Sequence, residues 1–169
     1  MAFWRFVALG PEHCAAGMNN RIWFYNCLHQ GNLQLVNEHE YVGTVETCSM
    51  NATHAAVLVE GRVFHHTIQP AEQGGYEGTM IYPRKEEGAM ITCACLSGQY
   101  LIYGDAAGHV CYASDGNIIN EFNHSEPIKR IFPNHAGTRV VLFDNTHDDQ
   151  VNSSPLGQDC MALVPLPKS

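Results

Sequence analysis

Short runs of apolar and β-branched residues alternate along the chain with turns rich in Gly, Asn and Asp. The clearest stretch is punctuated by Ser97-Gly98, Gly104-Asp105-Ala106-Ala107-Gly108 and Asp115-Gly116. Such turns connect antiparallel strands, because Gly, Asn and Asp accept the positive φ that tight hairpins require. The pattern therefore predicts a four-stranded antiparallel meander, with strands at Met90–Leu96, Gln99–Tyr103, His109–Ala113 and Asn117–Phe122.

Related patterns recur before and after this meander at intervals of roughly 40 residues, the length of one β-propeller blade. The spacing Gly98-x-x-Leu101-x-x-Gly104-x-x-x-Gly108-x-Val110 resembles the middle of a WD-type repeat, although no Trp-Asp dipeptide closes a repeat. We predict an all-β fold, a partial WD40-type β-propeller of about four blades built as antiparallel four-stranded meanders. The further predicted strands are Phe6–Leu9, His13–Met18, Arg21–Cys27, Tyr41–Cys48, His54–Val59, Arg62–Ile68, Ile128–Pro133 and Thr138–Phe143.

The predicted domain organisation is a single propeller segment over residues 1–169. Its blades are expected at approximately 3–40, 41–89, 90–125 and 126–165, the last with a weak tail. Propellers usually close with four to eight blades, so a piece of a larger ring is favoured over a very small complete one. A partial ring leaves strand edges free to pair with another chain.

Charge and cysteine content restrict the class of partner. The chain carries 17 acidic and 9 basic residues, a formal net charge of −8. Such a charge repels phosphate backbones and anionic membrane surfaces, so we expect neither nucleic-acid binding nor direct membrane insertion. No apolar run approaches the roughly 20 residues that insert across a bilayer. Seven cysteines without framework spacing favour a reducing compartment, where they pack as small apolar side chains.

Candidate catalytic and metal-ligating residues are few. No Gly-x-Ser-x-Gly motif and no phosphate-binding Gly-rich loop with Lys-Ser or Lys-Thr occurs. Cys93 and Cys95 lie two apart on a predicted strand, which favours core packing over zinc binding. His65 and His66 are adjacent, so they point to opposite faces and cannot share an ion. The acidic segment from Asp144 to Asp149 lacks the spacing of a calcium loop. We predict no catalytic, cofactor-binding or metal-binding residue and no small-molecule substrate.

The aromatic run Trp23-Phe24-Tyr25 follows the turn Met18-Asn19-Asn20. Strand alternation places Trp23 and Tyr25 on one face and Phe24 on the other. Packing between neighbouring blades accounts for these side chains, and a peptide-binding surface is the alternative.

Several segments can be compared, residue by residue, with the sequences of known families. They are Ala16-Gly17-Met18-Asn19-Asn20-Arg21 with Trp23-Phe24-Tyr25, Glu40-Tyr41-Val42-Gly43-Thr44-Val45, Val59-Glu60-Gly61, Leu101-Ile102-Tyr103-Gly104, and Ile131-Phe132-Pro133 with Gly137-Thr138-Arg139. In this order they resemble the intraflagellar transport protein 144 family, also called the WD-repeat-containing protein 19 family, in part of its second WD-repeat propeller. The segment from Gln69 to Gly88 and the residues after Thr146 match poorly. The family's first propeller and helical solenoid have no counterpart in this sequence.

The resemblance implies a non-enzymatic scaffold in intraflagellar transport complex A, which supports retrograde transport in the cilium and cilium assembly. It implies other complex A subunits as partners. It places the protein in the cytoplasm and in the cilium or flagellum, at the axoneme and basal body. The family has no catalytic residue to carry over.

Two long polar segments, from Gln69 to Gly88 and from Asn145 to Gln150, are the predicted contact regions, because propellers bind proteins through loops at blade ends. Two alternatives stay open. One is a stand-alone small β-propeller-like domain that binds a different cytosolic partner. The other is a metal-dependent or hydrolytic enzyme, which rests only on Cys93, Cys95 and the segment from Asp144 to Asp149.

Overall fold

The computed structural model describes residues 5–28, 32–70, 78–84, 88–134, 139–144 and 162–165, and every regular element in them is a β-strand. The chain divides into two compact units, Met1–Gly88 and Ala89–Ser169. Among these described residues, no helix is long and apolar enough to cross a membrane.

The first unit contains two four-stranded antiparallel sheets in which each strand pairs with the next along the chain. Sheet 1 consists of β1 (Phe6–Leu9), β2 (His13–Met18), β3 (Arg21–Asn26) and β4 (Gln34–Glu40). Sheet 2 consists of β5 (Val45–Met50), β6 (His54–Val59), β7 (Arg62–Thr67) and β8 (Met80–Tyr82). The β2–β3 and β6–β7 hairpins both turn on two residues, with Asn19 and Glu60 at positive φ.

The second unit also contains two antiparallel sheets, one with four strands and one with three described strands. Sheet 3 consists of β9 (Ile91–Ser97), β10 (Tyr100–Asp105), β11 (His109–Ser114) and β12 (Asn117–Asn123). Sheet 4 consists of β13 (Arg130–Pro133), β14 (Arg139–Phe143) and β15 (Ala162–Pro165). Consecutive strands pair antiparallel in both sheets.

The predicted all-β meander is confirmed, and the ends of the sheet 3 strands differ from the prediction by at most two residues. The prediction for the first strand of sheet 2 is wrong, since β5 begins at Val45 rather than Tyr41. Gly43 has a φ of 122°, which interrupts the extended backbone before the strand. The strands β4 and β8 were not predicted, because β4 is polar and β8 is short. Each sheet lies within one expected blade range, and the blade limits themselves stay a prediction.

Each unit has its own apolar core. In the first, residues of sheets 1 and 2 form one cluster, whose fully buried members include Ile22, Phe24, Val45, Val57 and Ile68. In the second, residues of sheets 3 and 4 and the segment between them form another, which includes Ile102, Val110, Tyr112, Ile128 and Leu142. Burial of one such side chain contributes about 1.5–3 kcal/mol, so these clusters carry most of the packing energy.

The strands β4 and β12 end their sheets and share a feature of edge strands. Val36 is an extra residue between two β3 partners, and Ile119 is an extra residue between two β11 partners. Such bulges twist an edge and interrupt its row of free N–H and C=O groups. The edges of sheets 1 and 3 are therefore poor templates for pairing with another strand.

Candidate functional site

A buried polar pair, Tyr41 and His66, lies inside the first unit, where the two residues are 3% and 4% exposed. The Nδ1 atom of His66 lies 2.7 Å from the Thr67 carbonyl oxygen. Because a carbonyl only accepts, Nδ1 carries the ring proton. The Nε2 atom therefore accepts a hydrogen bond from the Tyr41 hydroxyl, at 2.7 Å. The ring of His39 stacks on that of His66, with centroids 4.5 Å apart.

Burial keeps these groups neutral. It lowers the pKa of His39 to about 4 and also lowers the pKa of His66, because an apolar environment disfavours imidazolium. Burial likewise raises the pKa of the Tyr41 hydroxyl above its usual range. The hydrogen bonds and ring contacts of the cluster join β7 to the segments that contain His39 and Tyr41, which is a structural role.

His65 projects from the other face of β7, where its ring lies 5.2 Å from that of His54. The prediction that His65 and His66 point apart is confirmed, since His66 contacts Tyr41 and His39 instead. Burial, followed by the nearby His54, lowers the pKa of His65 to about 4.

Cys93 and Cys95 both pack against the apolar cluster of the second unit. Burial raises the pKa of Cys93 to about 11 and that of Cys95 to about 12. The thiolate is the nucleophilic form of cysteine, so burial makes both side chains poorer nucleophiles than an exposed cysteine. In the parts of the chain that the structure describes, no group of three or more His, Cys, Asp or Glu could hold a metal ion.

Asp105 organises the turn between β10 and β11. Its carboxylate accepts hydrogen bonds from the backbone N–H groups of Ala107 and His109, and from His109 Nδ1, each at 2.9 Å. This carboxylate raises the pKa of His109, through the hydrogen bond first and its charge second. Sequence reasoning recognised this segment as a turn but not its His–Asp contact, although Gly-Asp-x-x-Gly-His was visible.

A second His–Asp contact closes the end of β14. His124 Nε2 lies 2.6 Å from Asp144 Oδ2, and the Asp144 side chain is only 3% exposed. Asp144 was a member of the acidic segment considered for cation binding. It is engaged by His124 instead, while His147, Asp148 and Asp149 lie outside the described residues. Sequence separation hid this pair, because nothing local links its two members.

The aromatic run on β3 alternates as predicted. Phe24 is fully buried, whereas Trp23 and Tyr25 on the other face are partly exposed. Packing of Phe24 in the apolar cluster of the first unit agrees with its interpretation as a core residue.

Of the two predicted contact regions, residues 145–150 lie outside the described residues, as do residues 71–77 and 85–87 of the other. The interpretation of the segment from Gln69 to Gly88 as a loop is wrong in part, because it contains β8. This strand is short and pairs only with β7 among the residues that the structure describes. The segment expected to be a contact loop therefore includes the edge of sheet 2.

An open groove of about 420 Å³ runs along this edge. It is lined by Arg62, Thr79, Met80, Ile81, Pro83 and Arg84. The Arg84 guanidinium carbon lies 6.0 Å from the centre of the Tyr82 ring, within cation–π range. The groove thus combines two arginines with the apolar residues Met80, Ile81 and Pro83. Sequence reasoning did not single out this combination.

Comparison with known proteins identifies the family. Residues 4–168 match the family described as WDR19 second beta-propeller. "WD repeat-containing protein 19" of Homo sapiens is 37% identical over 147 residues, which cover 85% of this chain and 11% of the relative. "WD repeat-containing protein dyf-2" of Caenorhabditis elegans is 23% identical over 171 residues, 88% of this chain and 12% of the relative. The chain thus spans about a tenth of the length of these relatives.

Solved structures with low sequence identity show the fold alone. The computationally designed Ika4 protein superposes with a TM-score of 0.63 at 14% identity, over 95% of this chain and 89% of that one. The β-propeller domain of Myceliophteria thermophila Cps50 (Swd1) superposes with a TM-score of 0.63 at 12% identity, over 93% of this chain and 56% of that one.

Consecutive antiparallel meanders and the similarity to solved propellers define a β-propeller fold. The chain belongs to the WDR19 second β-propeller family. The predicted fold class and the predicted family resemblance are both confirmed.

Proposed function

We propose that this chain is a non-enzymatic, protein-binding part of a subunit of intraflagellar transport complex A. In that role it supports retrograde transport within the cilium and cilium assembly. The observation that carries the proposal is the family match over residues 4–168, together with 37% identity to the human relative.

The structure is suited to such a role. Its sheets are held by buried apolar clusters, and the polar groups that chemistry might use serve structure instead. The Tyr41–His66 contact is buried, the His124–Asp144 contact is largely buried, and burial raises the pKa of the Cys93 and Cys95 thiols. The edge of sheet 2 at β8 and the blade-end segments remain as surfaces on which other proteins can dock.

The proposed partners are the other subunits of complex A, and the proposed location is the cytoplasm and the cilium or flagellum, including the axoneme and basal body. The net charge of −8 favours proteins over nucleic acids and anionic membranes as partners.

The test is to tag the endogenous protein that contains this chain in ciliated cells of its source. The bound proteins are identified by mass spectrometry, with a tagged unrelated cytosolic propeller as the control. Recovery of complex A subunits, and accumulation of cargo at ciliary tips when the protein is depleted, are the expected results. Normal cilia after depletion, with no complex A subunit recovered, would overturn the proposal.

A further inference from the structure

The first unit contains the same hairpin twice. The β2–β3 and β6–β7 hairpins have strands of equal length, a histidine at the start and a two-residue turn. In both, an arginine opens the second strand, so that Arg21 pairs with Met18 and Arg62 pairs with Val59. Arg21 and Arg62 therefore occupy equivalent positions, each beside the outermost strand of its sheet.

The surroundings of Arg21 show what this position can bind. One guanidinium nitrogen lies 3.0 Å from Glu38 Oε1, and another lies 2.8 Å from Glu40 Oε2. Both glutamates belong to the outer strand β4, at alternate positions. Because alternate side chains of a strand point to one face, an extended segment can present two carboxylates to one planar guanidinium.

Among the residues that the structure describes, the outer neighbour of Arg62 carries no such acids. This neighbour, β8, has the sequence Met-Ile-Tyr, and Pro83 and Arg84 follow it. Within the described residues, neither Arg62 nor Arg84 forms an ion pair. Both line the groove along β8, beside Met80 and Ile81.

We propose that this groove binds an extended acidic segment of a partner protein, with carboxylates at alternate positions. One carboxylate of the segment would bind Arg62 and the other would bind Arg84. The alternate spacing is the one by which β4 brings Glu38 and Glu40 to Arg21. The apolar side chains of the segment would contact Met80 and Ile81. The inference rests on the proposed protein-binding role and specifies one surface for it.

Charge contrast strengthens the assignment. Among the described residues, the groove brings together two arginines that form no ion pair, in a chain whose net charge is −8. The surrounding negative charge disfavours a long polyanion, whereas a short segment with two acids meets the arginines locally. Arginine also provides paired, parallel N–H donors for a carboxylate, which a lysine cannot match.

The chain supplies its own probe, a fluorescent peptide with the sequence of Gln34–Glu40. Fluorescence anisotropy measures its binding to the 169-residue chain, and the matched peptide carries Gln in place of Glu38 and Glu40. We expect submillimolar binding of the acidic peptide and about tenfold weaker binding of the Gln peptide, since a tenfold change corresponds to about 1.4 kcal/mol. Binding should also weaken as salt rises from 50 to 300 mM, because exposed ion pairs are screened.

Protein variants locate the site. Arg62→Gln/Arg84→Gln should weaken binding about tenfold. Arg130→Gln/Arg139→Gln removes the same charge elsewhere on exposed strand positions and should leave binding unchanged. The peptide affinity of Arg62→Lys/Arg84→Lys should lie between those of the two Gln variants, since the charge remains but the paired N–H donors are lost. Circular dichroism spectra that superpose with wild type show that each variant is folded.

Equal binding of the two peptides, or equal losses in the groove and control variants, would overturn the inference. So would binding that occurs only when Glu72, Glu77, Glu86 and Glu87 are replaced by Gln, because the chain's own acids would then be the occupant. The peptide-binding results do not affect the outcome of the copurification experiment. The groove proposal and the proposed function can therefore be refuted independently.

Discussion

Tyr41→Phe removes a single hydroxyl from the buried pair that Tyr41 forms with His66. The loss of the 2.7 Å hydrogen bond leaves His66 Nε2 as a buried acceptor without a donor. The ring cannot respond by moving its proton, because Nδ1 donates to the Thr67 carbonyl and that contact would then be lost. A buried polar group without a partner costs about 1–3 kcal/mol, so we expect the free energy of unfolding to fall by about 2 kcal/mol.

Urea unfolding followed by tryptophan fluorescence measures this change. Both tryptophans of the chain, Trp4 and Trp23, belong to the first unit, so their emission reports on the unit that contains the substitution. The m-value, which is the slope of the free energy of unfolding with urea concentration, should stay constant. Removal of one hydroxyl changes little of the surface exposed on unfolding.

Tyr25→Phe is the matched control. Tyr25 lies in the same unit on the partly exposed face of β3, and we expect its loss of a hydroxyl to change the stability by less than about 0.5 kcal/mol. If Tyr41→Phe were equally harmless, the proton assignment on His66 and the buried-acceptor argument would both be refuted.

Three further predictions concern backbone, ion pair and pH. Gly108→Ala should cost more than about 3 kcal/mol, since φ is +89° and a Cβ would lie 2.4 Å from the His124 carbonyl oxygen. Gly98→Ala, at φ +59° in open space, should lower the free energy of unfolding by only about 1 kcal/mol. If urea titrations gave the same loss of stability for both variants, the steric clash predicted at Gly108 would be contradicted. His124→Ala should cost about 2 kcal/mol by leaving the buried Asp144 carboxylate without this donor, and an unchanged urea midpoint would argue against it. Folding lowers the pKa of His39 from 6.5 to about 4, so its contribution to stability is full above pH 6.5 and about 2 kcal/mol of it should be lost towards pH 4. An NMR titration in which His39 protonates near pH 6.5 would contradict this.

Hairpins were the most predictable part of the fold. Their strands are set by alternation, and their turns by residues such as Asn19, Gly98 and Gly116 that accept positive φ. The β2 and β6 strands were accordingly predicted with their observed ends. Outer strands were less predictable, because β4 is polar and exposed on much of its length. Its place in sheet 1 comes from pairing with β3 and from the ion pairs of Arg21, which the pattern of β4 itself does not encode.

The sequence by itself determined the all-β meander, the family and the lack of a recognisable catalytic motif, because these depend on local periodicity, turn chemistry and ordered strings of residues. Only the tertiary structure decided which polar groups meet. It joined Tyr41 to His66 and His124 to Asp144, and among the described residues it gave two acidic partners to Arg21 but none to Arg62. The physical reason is that burial and ion pairing depend on which strands become neighbours. That choice is made by packing among residues far apart along the chain.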